Sequence, residues 1–129
     1  MTTQTTQPQT RPGMVSHTEF ASEDPEATRD WCRKVLGWQF ESPLRLPEGE
    51  YHMWRHASGT GGGIRGPGPG EPVGVTPYVE VEDIHATVAK ATLGGAETLL
   101  PPTRIEQAGG WIAIVRAPGG VPVGFWALK

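Results

Sequence analysis

The feature that most constrains this chain is an internal repeat: Glu23-Asp24-Pro25-Glu26-Ala27-Thr28 returns as Glu82-Asp83-Ile84-His85-Ala86-Thr87. Each copy follows a short β-forming stretch, Val15 to Phe20 or Pro77 to Val81, and opens a helical pattern that stops at Leu36-Gly37 or Leu93-Gly94. Further on, Glu50 to Arg55 lies opposite Gly110 to Val115, and Gly63-Ile64 opposite Gly124-Phe125. Such a chain is two supersecondary units, neither able to bury its inner face alone, and within 129 residues they must share one domain.

The local signals agree. Asp24 is placed to cap a helix, Pro25 fits the first helical position, and Gly37 ends it. Ala27, Trp31 and Val35, flanked by Cys32 and Leu36, form the expected buried stripe. Asp83 caps the second helix, with Ile84, Val88, Ala91 and Leu93 inward and Gly94-Gly95 as its stop. Strands are expected at Met14 to Phe20, Trp38 to Glu41, Glu50 to His56 and Gly61 to Ile64, with a loop from Pro43 to Gly49. The second module repeats this with Pro77 to Val81, Ala96 to Leu100, Trp111 to Arg116 and Pro122 to Leu128. The order is βαβββ twice, an α+β arrangement. Met1 to Gly13, rich in Thr, Gln and Pro, has no apolar pattern and is expected to be a flexible tail.

Composition narrows the partners. A net charge of -3, with both signs scattered, provides no footprint for nucleic acid. No apolar run is long enough to span a bilayer, and no signal-peptide order opens the chain, so a cytoplasmic protein without a membrane partner is expected. The single cysteine, Cys32, reads as a small buried hydrophobe.

From Val15 to Leu128 the chain resembles the vicinal oxygen chelate superfamily, which includes glyoxalase I, bleomycin-resistance proteins and extradiol dioxygenases. The resemblance is carried by the His17 strand followed by Glu23-Asp24-Pro25, the Leu36-Gly37-Trp38 helix exit, Pro77 to Asp83, Leu93-Gly94-Gly95, and the ending from Gly110-Trp111 to Trp126. It implies a single domain over residues 14–129: module one at 14–64, a linker at 65–75 and module two at 76–129. The two modules would form a cupped, barrel-like mixed sheet with the helices outside. It also implies homodimers and, in metal-binding members, ligands from the first and last strand of each module. Those positions fall on His17, Thr76, near Gly63 and on Gly124. Only His17 carries a donor of the usual kind, so neither a standard metal site nor another cofactor is expected. The Asp usual before the last strand is replaced by Ala117.

Strand parity and family register sort the faces. If His17 points into the cup so does Glu19, and Thr76, Tyr78 and Glu80 share their phase. Gly124 at a ligand position puts Trp126 inside, and family register puts Ile112 and Ile114 there. With Glu50 set opposite Gly110, the repeat transfers that phase to His52 and Trp54. His17, Glu19 and His52 are therefore the candidate acid–base residues, and Trp54, Thr76, Tyr78, Ile112, Ile114 and Trp126 the candidate ligand wall. Each has a plainer reading: His17 as a hydrogen-bonded core histidine, Glu19 as its partner, Trp54 and Trp126 as core filling. Trp31 and Trp38 are assigned to the core, and Trp111 to the outside or the rim. His17 with His52 or His56 is the route left to a non-standard metal site. The function expected is binding of a small, aromatic or planar molecule, as in the sequestering resistance proteins. The alternative is a metal-independent lyase, isomerase or cyclase, and behind it a metal-dependent glyoxalase or dioxygenase.

Overall fold

The computed structural model describes residues 11–129, so the expected tail lies outside the described residues except for 11–13. Those three are not free: Gly13 N–H donates to the Glu80 carbonyl at 2.8 Å, and Glu80 N–H to the Met14 carbonyl at 2.9 Å. The chain then runs β1 (Val15–Ala21), α1 (Pro25–Leu36), β2 (Leu44–Leu46), β3 (Gly49–Arg55) and β4 (Gly61–Arg65). Module two follows as β5 (Gly74–Glu80), α2 (Ile84–Leu93), β6 (Glu97–Ile105), β7 (Gly110–Arg116) and β8 (Pro122–Ala127). Eight strands form one curled half-barrel sheet in the order β2-β3-β4-β1-β5-β8-β7-β6. The modules join edge to edge where β1 runs antiparallel to β5, with His17 opposite Tyr78 and Glu19 opposite Thr76.

Both helices start by the same device. The carboxylate of Asp24 accepts from Ala27 N–H at 3.1 Å, and that of Asp83 from Ala86 N–H at 3.0 Å. Gly37 closes α1 with φ of 72°, a conformation that costs glycine no Cβ clash. Each helix packs on its own half of the sheet. Cys32 meets Trp54 and Ile64, with Phe20, Trp38 and Phe40 around them. Ile84 meets Ala113 and Ala127, with Val81, Val88, Trp111 and Phe125 alongside. These strand positions all have the parity opposite to His17 and Tyr78, so both helices cover one face and leave the other as the inner face of the curl. No helix among the described residues is long and apolar enough to cross a membrane.

Several local expectations are corrected. Residues 38–41 do not form a strand; only a bridge from Phe40 to Trp54 survives, because Trp38 and Phe40 turn inward onto the Trp54 ring. The strand lies instead in the expected loop, where β2 pairs with the start of β3. Residues 65, 74 and 75 of the expected linker belong to β4 and β5. The strand expected at Ala96 to Leu100 continues to Ile105 through Pro101 and Pro102, which is tolerated because β6 is an edge and its register with β7 is broken twice. Trp31, placed in the core from the sequence, is 57 % exposed, as Val35 is at 56 % and Leu93 at 91 %. The helix turns Cys32 rather than the Trp31 row to the sheet, since the four large rings beneath leave room only for a small side chain.

Candidate functional site

Strand register decides which side chains share the inner face. His17 and Glu19 come from β1, Thr76, Tyr78 and Glu80 from β5, Gly124 and Trp126 from β8, and Ile112 and Ile114 from β7. On the module-one side Met53 pairs with Gly63, which makes Tyr51 and Met53 the inner residues of β3. His52 and Trp54 therefore point the other way, and their expected inward phase is corrected. His52 is buried under α1, where the Arg29 guanidinium meets its Nδ1 at 3.4 Å, and Trp54 stacks on Trp38 with centroids 4.2 Å apart. The error is one residue of register. Pairing Met53 with Gly63 and Ile114 with Gly124 shows that the repeat offset here is 61 (114 − 53), whereas setting Glu50 opposite Gly110 uses 60. A slip of one residue in a strand exchanges every side chain between faces.

The inner wall of module one is a closed polar cluster. The Tyr51 hydroxyl donates to Glu19 Oε2 at 2.6 Å, and His17 Nε2 lies 2.8 Å from both that oxygen and the Tyr51 oxygen. Arg65 Nε donates to Glu19 Oε1 at 3.0 Å and holds Glu71 with both terminal nitrogens at 2.7 and 3.0 Å. Glu19, 8 % exposed, thus accepts from three groups through both of its oxygens. The Tyr51 proton is committed to Glu19, so His17 must supply its own, and the network assigns the neutral imidazole as the Nε2–H tautomer. Nδ1 then carries a lone pair with no protein hydrogen-bond partner among the described residues, on a side chain 31 % exposed. The Tyr78 ring meets the His17 ring edge-on at 5.7 Å.

Charges follow from these contacts. Burial, then the Glu19 charge and hydrogen bond, push the Tyr51 phenol far above its ordinary value, and burial followed by the Glu19 charge does the same to Tyr78. The hydrogen bond to Glu71 leads the causes that raise Arg65, and the reciprocal bond holds Glu71 below the usual carboxylate range. Tyr51, Arg65, Glu71 and Met53 were all missed from the sequence. The signal for Tyr51 was Gly63: a Cβ there would overlap the Tyr51 ring and hydroxyl, so the glycine marks the seat of an aromatic ring from the next strand. Gly124 does the same for Tyr78, whose Cδ2 would lie 2.6 Å from a Cβ.

The inner wall of module two is apolar where β7 and β8 meet, while β5 brings Thr76, Tyr78 and Glu80 to it. Ile112 stands opposite Trp126 and Ile114 opposite Gly124, with Glu80 facing Trp126 from β5. A groove of about 200 Å³ opens instead beside the β1–α1 junction, between Phe20, Val73 and Val75. It is lined by one hydroxyl pair, Ser22 and Thr28, and no titratable group, whereas the titratable cluster lies on the inner face.

A helix-flanked curl of two βαβββ modules is also what comparison with known proteins returns. Residues 14–125 match the family described as Glyoxalase/Bleomycin resistance protein/Dioxygenase superfamily. The chain belongs to this superfamily. Two curated mycobacterial proteins, from Mycobacterium tuberculosis and Mycobacterium bovis and each named "Putative glyoxylase CFP32", are 27% identical over 121 residues. That covers 90% of this chain but 46% of theirs, so the chain spans about half the length of the curated relatives it matches. Among solved structures, hypothetical protein BH1468 from Bacillus halodurans C-125 superimposes with a TM-score of 0.74 at 14% identity, covering 92% of this chain and 96% of that one. Methylmalonyl-CoA epimerase from Streptomyces coelicolor, in complex with 2-nitronate-propionyl-CoA, gives 0.67 at 17% identity over 91% and 98%. These likenesses show the fold.

The divalent metal of many superfamily members does not fit the residues present. Gly63 and Gly124 offer no donor, and any side chain placed there would run into Tyr51 or Tyr78. Thr76 is buried opposite Glu19 and supplies at most a hydroxyl. His17 and Glu19 are bonded to each other, and no group of three or more His, Cys, Asp or Glu able to hold a metal occurs among the described residues. His52 lies on the other face and cannot join them.

Proposed function

We propose that this superfamily member binds a small planar molecule in the inner curl and holds it unchanged, in the manner of a sequestering protein. The observation that carries the reading is the saturation of Glu19. Both oxygens of this carboxylate are occupied by Tyr51, His17 and Arg65 rather than turned toward a ligand, so the polar cluster serves recognition better than proton abstraction. The ligand would lie with its polar edge toward His17 Nδ1 and Tyr51 and its face against Tyr78, Ile112, Ile114 and Trp126. Stacking supplies roughly 0.5 to 1.5 kcal/mol per aromatic pair beyond area burial. A homodimer and a cytoplasmic location remain parts of this proposal.

A second reading rests on one observation of its own. The Glu19 carboxylate on Nε2–H fixes the His17 tautomer and leaves the Nδ1 lone pair turned outward to take a proton, the geometry that an acid–base histidine requires. Under that reading the protein is a metal-independent lyase, isomerase or cyclase. One experiment separates them. The protein is screened against a library of planar metabolites by tryptophan fluorescence, and each hit is recovered after prolonged incubation and weighed by mass spectrometry with deuterium in the solvent. Unchanged hits, with His17→Ala altering affinity only a few-fold, support sequestration; solvent deuterium or a new mass, abolished by His17→Ala, supports the enzyme. Hits indifferent to both Tyr51→Phe and Trp126→Ala would place the ligand elsewhere and remove both readings.

A further inference from the structure

Glu80 is a carboxylate that the repeat does not require. The offset that carries Glu19 to Tyr78 carries Ala21 to Glu80 (59 in both cases), so the same fold position in module one holds a methyl group. Yet Glu80 is 8 % exposed, stands on the inner face, and faces Trp126 across the β5–β8 pair. An ionised carboxylate at such a depth is costly without a cation. Its cation comes from outside the repeat. Arg11 N–H donates to Oε1 at 3.0 Å, and one terminal nitrogen of the Arg11 guanidinium donates to Oε2 at 2.9 Å. The guanidinium is otherwise idle: its remaining N–H groups make no hydrogen bond among the described residues, and the side chain is 47 % exposed. Its other terminal nitrogen extends toward the turn at Gly59. A buried anion has thus been matched with a half-solvated cation through a single side-chain bond, although the carboxylate could accept a two-pronged fork.

We propose that Glu80 anchors a subsite for a planar amidinium or guanidinium group, that Arg11 fills it in the ligand-free chain as an internal counter-ion, and that a ligand bearing such a group displaces the Arg11 side chain. This rests on the inner curl being the ligand site and names the charge class of what enters it. The amidinium would gain the two-pronged bond that Arg11 does not make.

The test uses benzamidine, with its neutral isostere benzamide as control, titrated into the full-length protein by fluorescence and calorimetry. Benzamidine should bind competitively with no other added component, Arg11→Ala should tighten it about three- to tenfold, and Glu80→Gln should abolish the preference over benzamide. Should Arg11→Ala prove poorly folded, Arg11→Gln keeps the backbone contact and removes the charge, with the same expectation. Benzamidine affinity that is unmoved by these Arg11 variants or by Glu80→Gln, or no benzamidine binding to any variant, overturns the subsite. If both probes bind and lose affinity together in Trp126→Ala while ignoring Glu80→Gln, the curl remains the ligand site and only the subsite fails. If neither probe is sensitive to Trp126→Ala or Tyr51→Phe, the curl itself is not the site.

Discussion

The two modules have the same caps, the same strand order and the same glycine beneath a tyrosine ring, yet they are built from opposite materials. Module one has an aromatic outer core, Trp54 stacked on Trp38 with Phe20 edge-on at 5.4 Å, and a polar inner wall. Module two has a core of Ile84, Ala113 and Ala127 and an apolar inner wall of Ile112, Ile114 and Trp126. The backbone pattern is thus independent of what fills it.

The largest test of this contrast lies in the outer cores. Trp54→Ala should cost about 4 kcal/mol and Ile84→Ala about 3 kcal/mol in urea unfolding, because the tryptophan carries the stacked pair as well as its own burial. Equal or reversed costs would mean that the aromatic cluster is filler. On the inner wall, Glu19→Gln should cost about 2 to 3 kcal/mol, since it leaves Arg65 without its buried anion and Tyr51 with a neutral acceptor. Its repeat counterpart is Tyr78, whose hydroxyl has no protein partner among the described residues, so Tyr78→Phe should change stability by less than about 0.5 kcal/mol.

How far the sequence carried follows from the same contrast. The repeat, the caps and the two glycine stops were legible because each is a local rule written in adjacent residues. His17, Glu19, Tyr78 and Trp126 share the inner face as expected, because the family's ligand positions at His17 and Gly124 set the starting phase and parity carried it along each strand. The phase of β3 was misread because Glu50 was set opposite Gly110, an offset of 60, although Gly63 opposite Gly124 already gives 61, the offset that the pairing of Met53 with Gly63 bears out. Arg65 and Glu71 were hidden because a loop ion pair has no period. Trp31 was misplaced because periodicity locates an apolar row but not which of two adjacent rows the neighbouring rings admit.

Two smaller effects sharpen the comparison further. Both folded-state phenols are raised above the ordinary 10.0, so their contribution to stability is complete below about pH 10 and is lost as pH rises past it, the unfolded chain ionising first. The two tyrosines of the chain should therefore show no phenolate absorbance while folded at pH 10, and then appear together on alkaline unfolding. A tyrosine titrating normally in the native protein would break the Glu19 cluster. At the acid end the sign reverses: Glu71 is held below 4.5, and the stability it contributes is lost as pH falls through that lowered value. Smallest of all, Trp31→Ser on the exposed flank of α1 should shift the unfolding midpoint by an amount within about 0.5 kcal/mol.

The rims of the curl carry a consequence for assembly. At one end β2 is only three residues long, and at the other β6 carries Pro101 and Pro102 with its ladder interrupted twice. Neither border offers a run of free amides on which an extended chain could zip, so the sheet resists growth by strand addition and the fibrous association that follows from it. With strand addition disfavoured at both borders, the two faces of the sheet and the bare flanks of the helices are the surfaces left for contact through side chains.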